Sequence, residues 1–438
     1  KGVMGIATCD KGLPAMMMAL SEPKKLPGIL VPGGVTLPPD RGEDTGTVQS
    51  IGSRFSHGEI SLKEAAEAGC AACASAGGGC QFFGTAATSQ AIAEGLGIAL
   101  PHSALAPSGE RVWLEIGRAS SRALMKMVKE NVALDQIITD GSVRNAMAVH
   151  AAMGGSTNLL IHLPAIACAA GLKAPRVEDW TQMNRSVPRI VDVLPNGPNN
   201  YMTVQVFLAG GVTEVMLHLR ELGLIDLNCL TVSGNSVGKN LEDWEGSERR
   251  KRFRDILYEK DGVDPDDVIM SPDRAAEKGL ARTLAFLKGN LAPDGAVVKS
   301  TSISPDLFLD DGIYFHEGKA RVFVDEASAI SAVKSVGNDR VLPGEVIALL
   351  GRGPIGAGMP ETAQITSALK YTSALSRNVL ITDGRFSGFS SGPCIGHVGP
   401  EALAGGPLAM LRDGDPVRIE IHKDKCEGTI DYVGGEDN

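Results

Sequence analysis

Aromatic residues are scarce: Phe, Trp and Tyr make up 4% of the 438 residues. That leaves little material for the stacking platforms that hold single-stranded nucleic acid. Basic charge is not in excess either. The 42 Lys and Arg are outnumbered by 52 Asp and Glu, for a net charge of −10, whereas a nonspecific nucleic-acid binder needs the opposite sign. No apolar run approaches the ~20 residues of a membrane span, and no secretory signal is visible, so neither nucleic acid nor a membrane is an expected partner. Eight cysteines in so long a chain are too sparse for a disulfide scaffold. A reduced, cytoplasmic protein with mostly buried, structural thiols is expected. Glycine, by contrast, is abundant: 53 residues, well above the usual ~7%. It clusters at 77–79 (GGG) and 351–358 (GRGPIGAG), where sites built from backbone are expected. The 43% hydrophobic and 21% charged composition is that of a globular chain with ample core material. Because the first residue is Lys rather than Met and stands at the start of an apolar run, further sequence is expected upstream.

Hydrophobic patterning divides the chain into two textures. Residues 2–8 (GVMGIAT) and 29–35 (ILVPGGV) read as short buried strands, and 13–20 as a helix opening directly after Cys9-Asp10-Lys11. Helical periodicity returns over 61–76, 85–96, 110–131 and 142–153. The first of these opens on a Ser61/Glu64 capping box. Strands alternating with helices predict an α/β layered domain with a parallel-rich sheet, residues 1–287. After GNLAPDG (289–295), short β-rich stretches recur between turn signals: AVVKSTSI, KARVFV, GEVIALLG, NVLITDG, PVRIEIH and GTIDYVG. These predict a barrel-like β domain over 288–438, with helices near 326–335 and 361–376. The charge run EGSERRKRFRD (245–255) reads as a solvated helix face.

Several segments could carry chemistry. Cys9-Asp10-Lys11 sets a soft ligand beside a hard one, with an amine adjacent: thiolate suits an iron–sulfur cluster or zinc, carboxylate suits Mg²⁺. The alternative is a strand-end turn with a surface ion pair. Cys80 follows three glycines, which let a bulky cofactor approach the backbone. Cys70 and Cys73 have part of a zinc spacing, but in an Ala-rich helix they read as core filler. Gly154–Asn158 (GGSTN) precedes a helix, where it can bind an anion or simply start the helix well, and His162 reads as a core histidine. GRGPIGAGMPE (351–361) has dinucleotide-like glycine spacing, but Pro354 and Pro360 interrupt it and no acidic residue closes a following strand. Glu361 is the better candidate, as a metal carboxylate. TDGRFSGFSSG (382–392) brings Asp383, Arg385 and Ser387 together without a hydrolase motif, and His397 and Glu401 follow.

In order along the chain, CDKGLPAMMM, GGGCQFFGTAATSQAIAEGLG, GGSTNLLIHLPAIA, GNLAPDGAVVK, GMPE and TDGRFSG…GHVGPEA resemble the dihydroxy-acid/6-phosphogluconate dehydratase family over essentially the whole chain. VPGGVTLPPDRGEDTG (31–46) and PHSALAPSGE (101–110) are most similar to its sugar-acid branch, the D-xylonate dehydratases. The resemblance implies a 2Fe–2S cluster held by three cysteines with one iron open, Cys9 and Cys80 being two of them. It also implies Mg²⁺ on Asp10, Glu361 and Lys11, the last as a carbamate, and Ser387 as the base. The third cysteine and a further Mg²⁺ carboxylate lie upstream of Cys-Asp-Lys in the family. The chain departs from the pattern at Gly12-Leu13, where some members have Thr-Thr, and at Phe389, where Gly or Thr often follows the Ser-Gly.

The implied reaction removes water from a 2,3-dihydroxy sugar acid to give a 2-keto-3-deoxy acid, in a homodimer or homotetramer. The second expectation within this chemistry is a dihydroxy-acid dehydratase of branched-chain biosynthesis. A 6-phosphogluconate enzyme is less expected, since no added basic phosphate cluster is evident. Outside it stand an iron–sulfur electron-transfer module and a non-catalytic binding protein. Should Ser387 not be the base, carbamylated Lys11 or a histidine such as His102 comes next.

Overall fold

The computed structural model describes residues 1–438 except 24, 40–42, 49, 57, 73–74, 76, 359, 389 and 436–438, and the side chain of 47. It divides into two compact units. The first comprises Lys1–Gln49 and Ala66–Ala281, the second Ser50–Ala65 and Arg282–Asn438.

The first unit is helical around a small parallel pair, β1 (Val3–Ala7) and β2 (Gly28–Pro32), in register from Val3 opposite Gly28 to Ala7 opposite Pro32. Helix Gly12–Ser21 connects them, which is the crossover a parallel pair requires. Every residue of helix Thr85–Gly95 is buried. Its Ala, Ser, Thr and Gly side chains are small enough to let other helices approach from all sides. Helix Asp140–Met153, one of those packed against it, is buried over most of its length. By contrast, helix Arg111–Glu130 buries only Ile116, Ser120 and Met127, as an amphipathic surface helix does. It ends at Asn131 in the left-handed region, φ 54°.

The second unit is a closed barrel. Its strands are β3 (Leu284–Gly289), β4 (Ala292–Lys299), β5 (Ile313–Phe323), β6 (Val346–Leu349), β8 (Val379–Thr382), β10 (Cys394–Gly399), β11 (Pro416–His422) and β12 (Glu427–Tyr432). They are ordered β10-β4-β3-β12-β11-β5-β6-β8, and β8 pairs with β10 to close the ring. Strand β11 shows the physical basis: Val417, Ile419 and Ile421 are buried while Arg418 is exposed, the period of two that a one-sided strand requires. Val298, Val346, Ala348, Ile381, Ile395 and Ile430 share the same core. Closure leaves this sheet no open edges. Outside the barrel, β7 (Glu361–Thr362) and β9 (Arg385–Phe386) form a two-residue parallel pair. Among the described residues no helix is long and apolar enough to cross a membrane.

The expected α/β and barrel architecture is what the structure has, with one local correction. The helix expected over 361–376 begins at Gln364 and ends at Tyr371, and Glu361 lies on β7 instead. The Ser61 capping box is present: Ser61 N–H donates to Glu64 Oε2 at 2.7 Å and Glu64 N–H to Ser61 Oγ at 3.2 Å.

Candidate functional site

β1 ends at Ala7, and Cys9-Asp10-Lys11 form the turn into helix Gly12–Ser21, whose Leu13 N–H donates to the Cys9 carbonyl. Alongside runs the Pro-Gly-Gly segment that follows β2. Gly33 N–H donates to the Ala7 carbonyl, Gly79 N–H to the Gly34 carbonyl, and Thr36 N–H to the Gly79 carbonyl, each at 2.8 Å. The segments leading to Cys9 and Cys80 therefore flank one strand end, residues 33–36. Glycine is required at 34: φ is +77°, and a Cβ there would stand 2.2 Å from the Ala106 carbonyl oxygen. Cys9 is exposed, Cys80 partly so, and neither is in a disulfide. Asp10 and Lys11 are ion-paired, with side chains 32% and 51% exposed. Carbamylation would turn the Lys11 amine into an anionic group and break that pair.

These residues suit a thiolate-bound cluster in donor chemistry, because soft, accessible thiols are what iron takes. They make up part of a ligand set. Among the described residues no three His, Cys, Asp or Glu side chains gather as a metal site.

Gln81, which pattern reading passed over, clamps the Cys80 peptide. Fully buried, its Nε2 donates to the carbonyls of Leu37 and Ala72, both at 2.8 Å, and its Oε1 accepts from Thr45 N–H at 2.9 Å. Its own N–H donates to Thr45 Oγ1 at 3.1 Å. From the other side, Thr203 donates through Oγ1 to the Cys80 carbonyl and through N–H to the Gln81 carbonyl. The only sequence signal for this role was a polar residue inside an apolar block. Gln81→Leu strands three main-chain groups, at about 1–3 kcal/mol each. The expected result is a lower urea midpoint and several-fold faster labelling of Cys80 by a thiol reagent, with exposed Cys168 as the internal reference. Unchanged Cys80 labelling would refute the clamp.

In the second unit, β7 and β9 place Glu361 opposite Arg385. The Glu361 carboxylate lies 4.0 Å from the Arg385 guanidinium, whose side chain is 2% exposed. Ser387 follows β9 directly, is 6% exposed, and accepts Ser390 N–H at its carbonyl at 2.9 Å. Thr362 Oγ1 donates to the Arg385 carbonyl at 3.0 Å, tying the two short strands together. Glu361 and Ser387 thus sit on adjoining segments of this unit.

The glycine loop 351–358 binds carboxylates of its own chain. Asp383 accepts from the backbone N–H groups of Gly351, Arg352 and Ala402 at 2.7–3.0 Å. Glu401 accepts from Ile355 and Gly356. Gly353 leaves room for this, since a Cβ there would stand 2.2 Å from Glu401 Oε2. The donors a dinucleotide phosphate would need are already engaged, in accord with the reading against that motif.

Other expectations need correction. Of the described cysteines only Cys229, Cys394 and Cys426 are buried; Cys70 and Cys168 are exposed, so Cys70 is not core filler. Cys73 and Phe389 lie outside the described residues. The 154–158 segment leads into helix Leu159–Ala169, and its polar side chains bond within the first unit. Ser156 N–H donates to Thr88 Oγ1, Ser156 Oγ bonds Thr85 Oγ1, and Asn158 Nδ2 donates to Thr85 Oγ1 at 2.7 Å, a polar joint onto the buried helix Thr85–Gly95. His162 is buried, as read.

The charge run, on helix Glu248–Asp261, is not simply solvated. Arg250 grips buried Glu214, and Arg249 Nε donates to His102 Nδ1 at 3.0 Å. His102 is 1% exposed and stacks on Phe207. With Nδ1 accepting from Arg249, its Nε2–H donates to the Phe207 carbonyl at 2.9 Å. Burial first, then the Arg249 charge, lowers its pKa to about 3. Both nitrogens are committed, so His102 is a neutral structural residue and not the fallback base.

Comparison with known proteins places this geometry. The N-terminal model of the dihydroxy-acid/6-phosphogluconate dehydratases matches residues 1–240 and the C-terminal model residues 267–433. D-xylonate dehydratase YagF of Escherichia coli K12 is 57% identical over 438 residues, all of this chain and 66% of the relative. D-xylonate dehydratase YjhG of the same organism is 54% identical over 434 residues, 99% of this chain and 66% of the relative. A dihydroxy-acid dehydratase of Dinoroseobacter shibae is 38% identical over 434 residues, 96% of this chain and 68% of the relative. The chain thus spans 66% of the length of the two D-xylonate dehydratases. Two consecutive domain matches and these identities show that the chain belongs to the dihydroxy-acid/6-phosphogluconate dehydratase family.

Proposed function

We propose that the protein is a hydro-lyase that converts D-xylonate, or a similar aldonate, to the 2-keto-3-deoxy acid. One observation carries the substrate class: identity is 57% and 54% to D-xylonate dehydratases but 38% to a dihydroxy-acid dehydratase, at nearly equal coverage of this chain. Cys9 and Cys80 are the proposed holders of an iron–sulfur cluster, and Asp10, Glu361 and Lys11, the last as its carbamate, those of Mg²⁺. Bound there, the cluster and Mg²⁺ would supply Lewis acidity toward substrate hydroxyl and carboxylate oxygens.

The chain's own residues then have defined tasks. Ser387 Oγ takes the proton from C2, and the C2–H electron pair becomes a C2=C3 bond as the C3–O bond breaks. The departing hydroxide leaves as water on gaining a proton, and the resulting enol ketonises. A neutral serine is a very weak base, so this assignment requires positive charge close to the hydroxyl.

The test is a keto-acid assay of anaerobically purified protein against a panel of sugar acids and 2,3-dihydroxy-3-methyl acids. D-xylonate or a related aldonate is expected to give the highest kcat/KM, by about 10-fold or more over branched dihydroxy acids. That margin is what a pocket that hydrogen-bonds additional hydroxyls should produce. A preference for the branched acids would replace this reading by that of a dihydroxy-acid dehydratase.

A further inference from the structure

Lys299 closes β4, the barrel strand whose Val298 belongs to the core. It is 7% exposed, an unusual place for an ammonium, since taking such a charge from water is costly unless a specific partner meets it. Its Nζ donates at 2.5 Å to the carbonyl of Gly388, the residue that follows Ser387. The strand end and the serine turn are joined again farther on. The single Ser302 hydroxyl proton lies within reach of the carbonyls of Lys299 at 2.7 Å and Gly392 at 3.1 Å, and Gly392 N–H donates to the Ser302 carbonyl at 2.9 Å. Gly388 and Gly392 are thus each tied to the barrel strand end, and the tie at Gly388, beside Ser387, is made by a charged group.

We infer that Lys299 is a positioning residue for Ser387: its buried ammonium grips the Gly388 carbonyl and sets the turn that aims the serine hydroxyl. This rests on the reading of Ser387 as the base. A carbonyl held by a fixed cation is restrained more firmly than one held by a neutral group, because charge-assisted hydrogen bonds are roughly twice as strong. A misplacement of ~1 Å at a reacting group costs about 100-fold in rate.

The test compares Lys299→Met, Lys299→Ala, Lys299→Arg, Ser302→Ala and Ser387→Ala in the complete gene product. Readouts are kcat, KM, exchange of the substrate C2 proton with deuterated water, and circular dichroism. Lys299→Met is expected to lose about 100-fold in kcat and in C2 exchange, with KM within about 3-fold, since the residue acts through Ser387 and not on substrate binding. Lys299→Arg, which keeps the charge should Met disturb folding, is expected to recover part of the loss. Added methylammonium or ethylammonium should rescue Lys299→Ala, and neutral alcohols of the same size should not. Ser302→Ala removes the side-chain part of the uncharged tie, leaving the backbone bond from Gly392, and is expected to stay within about 3-fold of the parent in kcat.

Near-normal exchange in Lys299→Met, with Ser387→Ala inactive, would overturn the positioning role and leave Ser387 as the base. Near-normal exchange in Ser387→Ala would instead overturn the base assignment beneath it. Equal losses in Lys299→Met and Ser302→Ala without rescue by ammonium ions would reduce Lys299 to scaffolding and overturn the inference too.

Discussion

Ser387→Ala is expected to keep the barrel intact while exchange of the substrate C2 proton with deuterated water falls by about 1,000-fold, within the range for removal of a positioned general base. Its fold should survive because the change removes one oxygen from a buried side chain without creating a cavity or adding bulk. The turn is held by other groups: Ser390 N–H on the Ser387 carbonyl, Lys299 Nζ on the Gly388 carbonyl, and Ser302 on Gly392. Loss of rate without loss of fold would therefore report on the hydroxyl itself. Ser390→Ala is the comparison. Among the described residues its Oγ makes a single long contact, 3.4 Å to the Thr362 carbonyl, and it should cost less than about 10-fold, as a residue outside the reacting atoms. If Ser390→Ala proved as severe as Ser387→Ala, turn geometry and not proton abstraction would explain both. Retention of near-normal exchange in folded Ser387→Ala would move the search to carbamylated Lys11, because His102 is locked between Arg249 and Phe207.

Local signals predicted local structure well. Alternation along PVRIEIH, the Ser61/Glu64 pair and the helical period of 85–96 each depend on neighbours a few residues away, and each reappears as an element. Where a partner lies far along the chain, periodicity carries no information. Glu361–Thr362 is a strand only because Arg385–Phe386 runs beside it, and two residues have no period to read. Segment Ser50–Ala65 groups with the barrel unit, where Ser53 Oγ meets Ser367 Oγ at 2.6 Å; nothing in its composition names that partner. The mixed order β10-β4-β3-β12-β11-β5-β6-β8 is likewise a long-range property.

The site divides along the same line. The candidates Cys9, Asp10, Lys11, Cys80, Glu361 and Ser387 come from glycine context and ordered motifs, which are local. The residues that hold them do not. Gln81 and Lys299 show no motif as donors, since what they grip is backbone: Leu37, Ala72 and Thr45 for one, Gly388 for the other. A main-chain carbonyl has no residue identity, so a sequence cannot announce it as a partner. Charge runs mislead for a related reason. Solvation is the usual state of Arg and Lys, and only the structure reveals which of them meets a buried acid.

Glu214 is that acid, and its removal is expected to destabilise the first unit in a pH-dependent way. The carboxylate is 3% exposed. It accepts from Arg250 Nη2 at 2.6 Å and Nε at 2.8 Å, and from Trp244 Nε1 at 2.9 Å; Arg254 lies at 3.6 Å. Burial alone would raise its pKa, but the Arg250 and Trp244 hydrogen bonds and the two guanidinium charges outweigh that and leave it below the ordinary value. A carboxyl whose folded pKa is depressed stabilises the fold fully above its unfolded pKa, and that contribution is lost as pH falls through the folded value. Glu214→Leu should therefore cost about 3 kcal/mol at pH 7, at the lower end for breaking a buried pair because Arg250 is partly exposed. The difference from the parent should shrink as pH is lowered below the usual Glu range. Urea midpoints measured from pH 7 down to pH 3 check both. Adding Arg250→Leu to Glu214→Leu should recover part of the loss, since the stranded guanidinium and not the missing contact carries most of the penalty. A pH-independent difference, or a double variant no better than the sum of the singles, would mean that Glu214 acts by packing and not by charge.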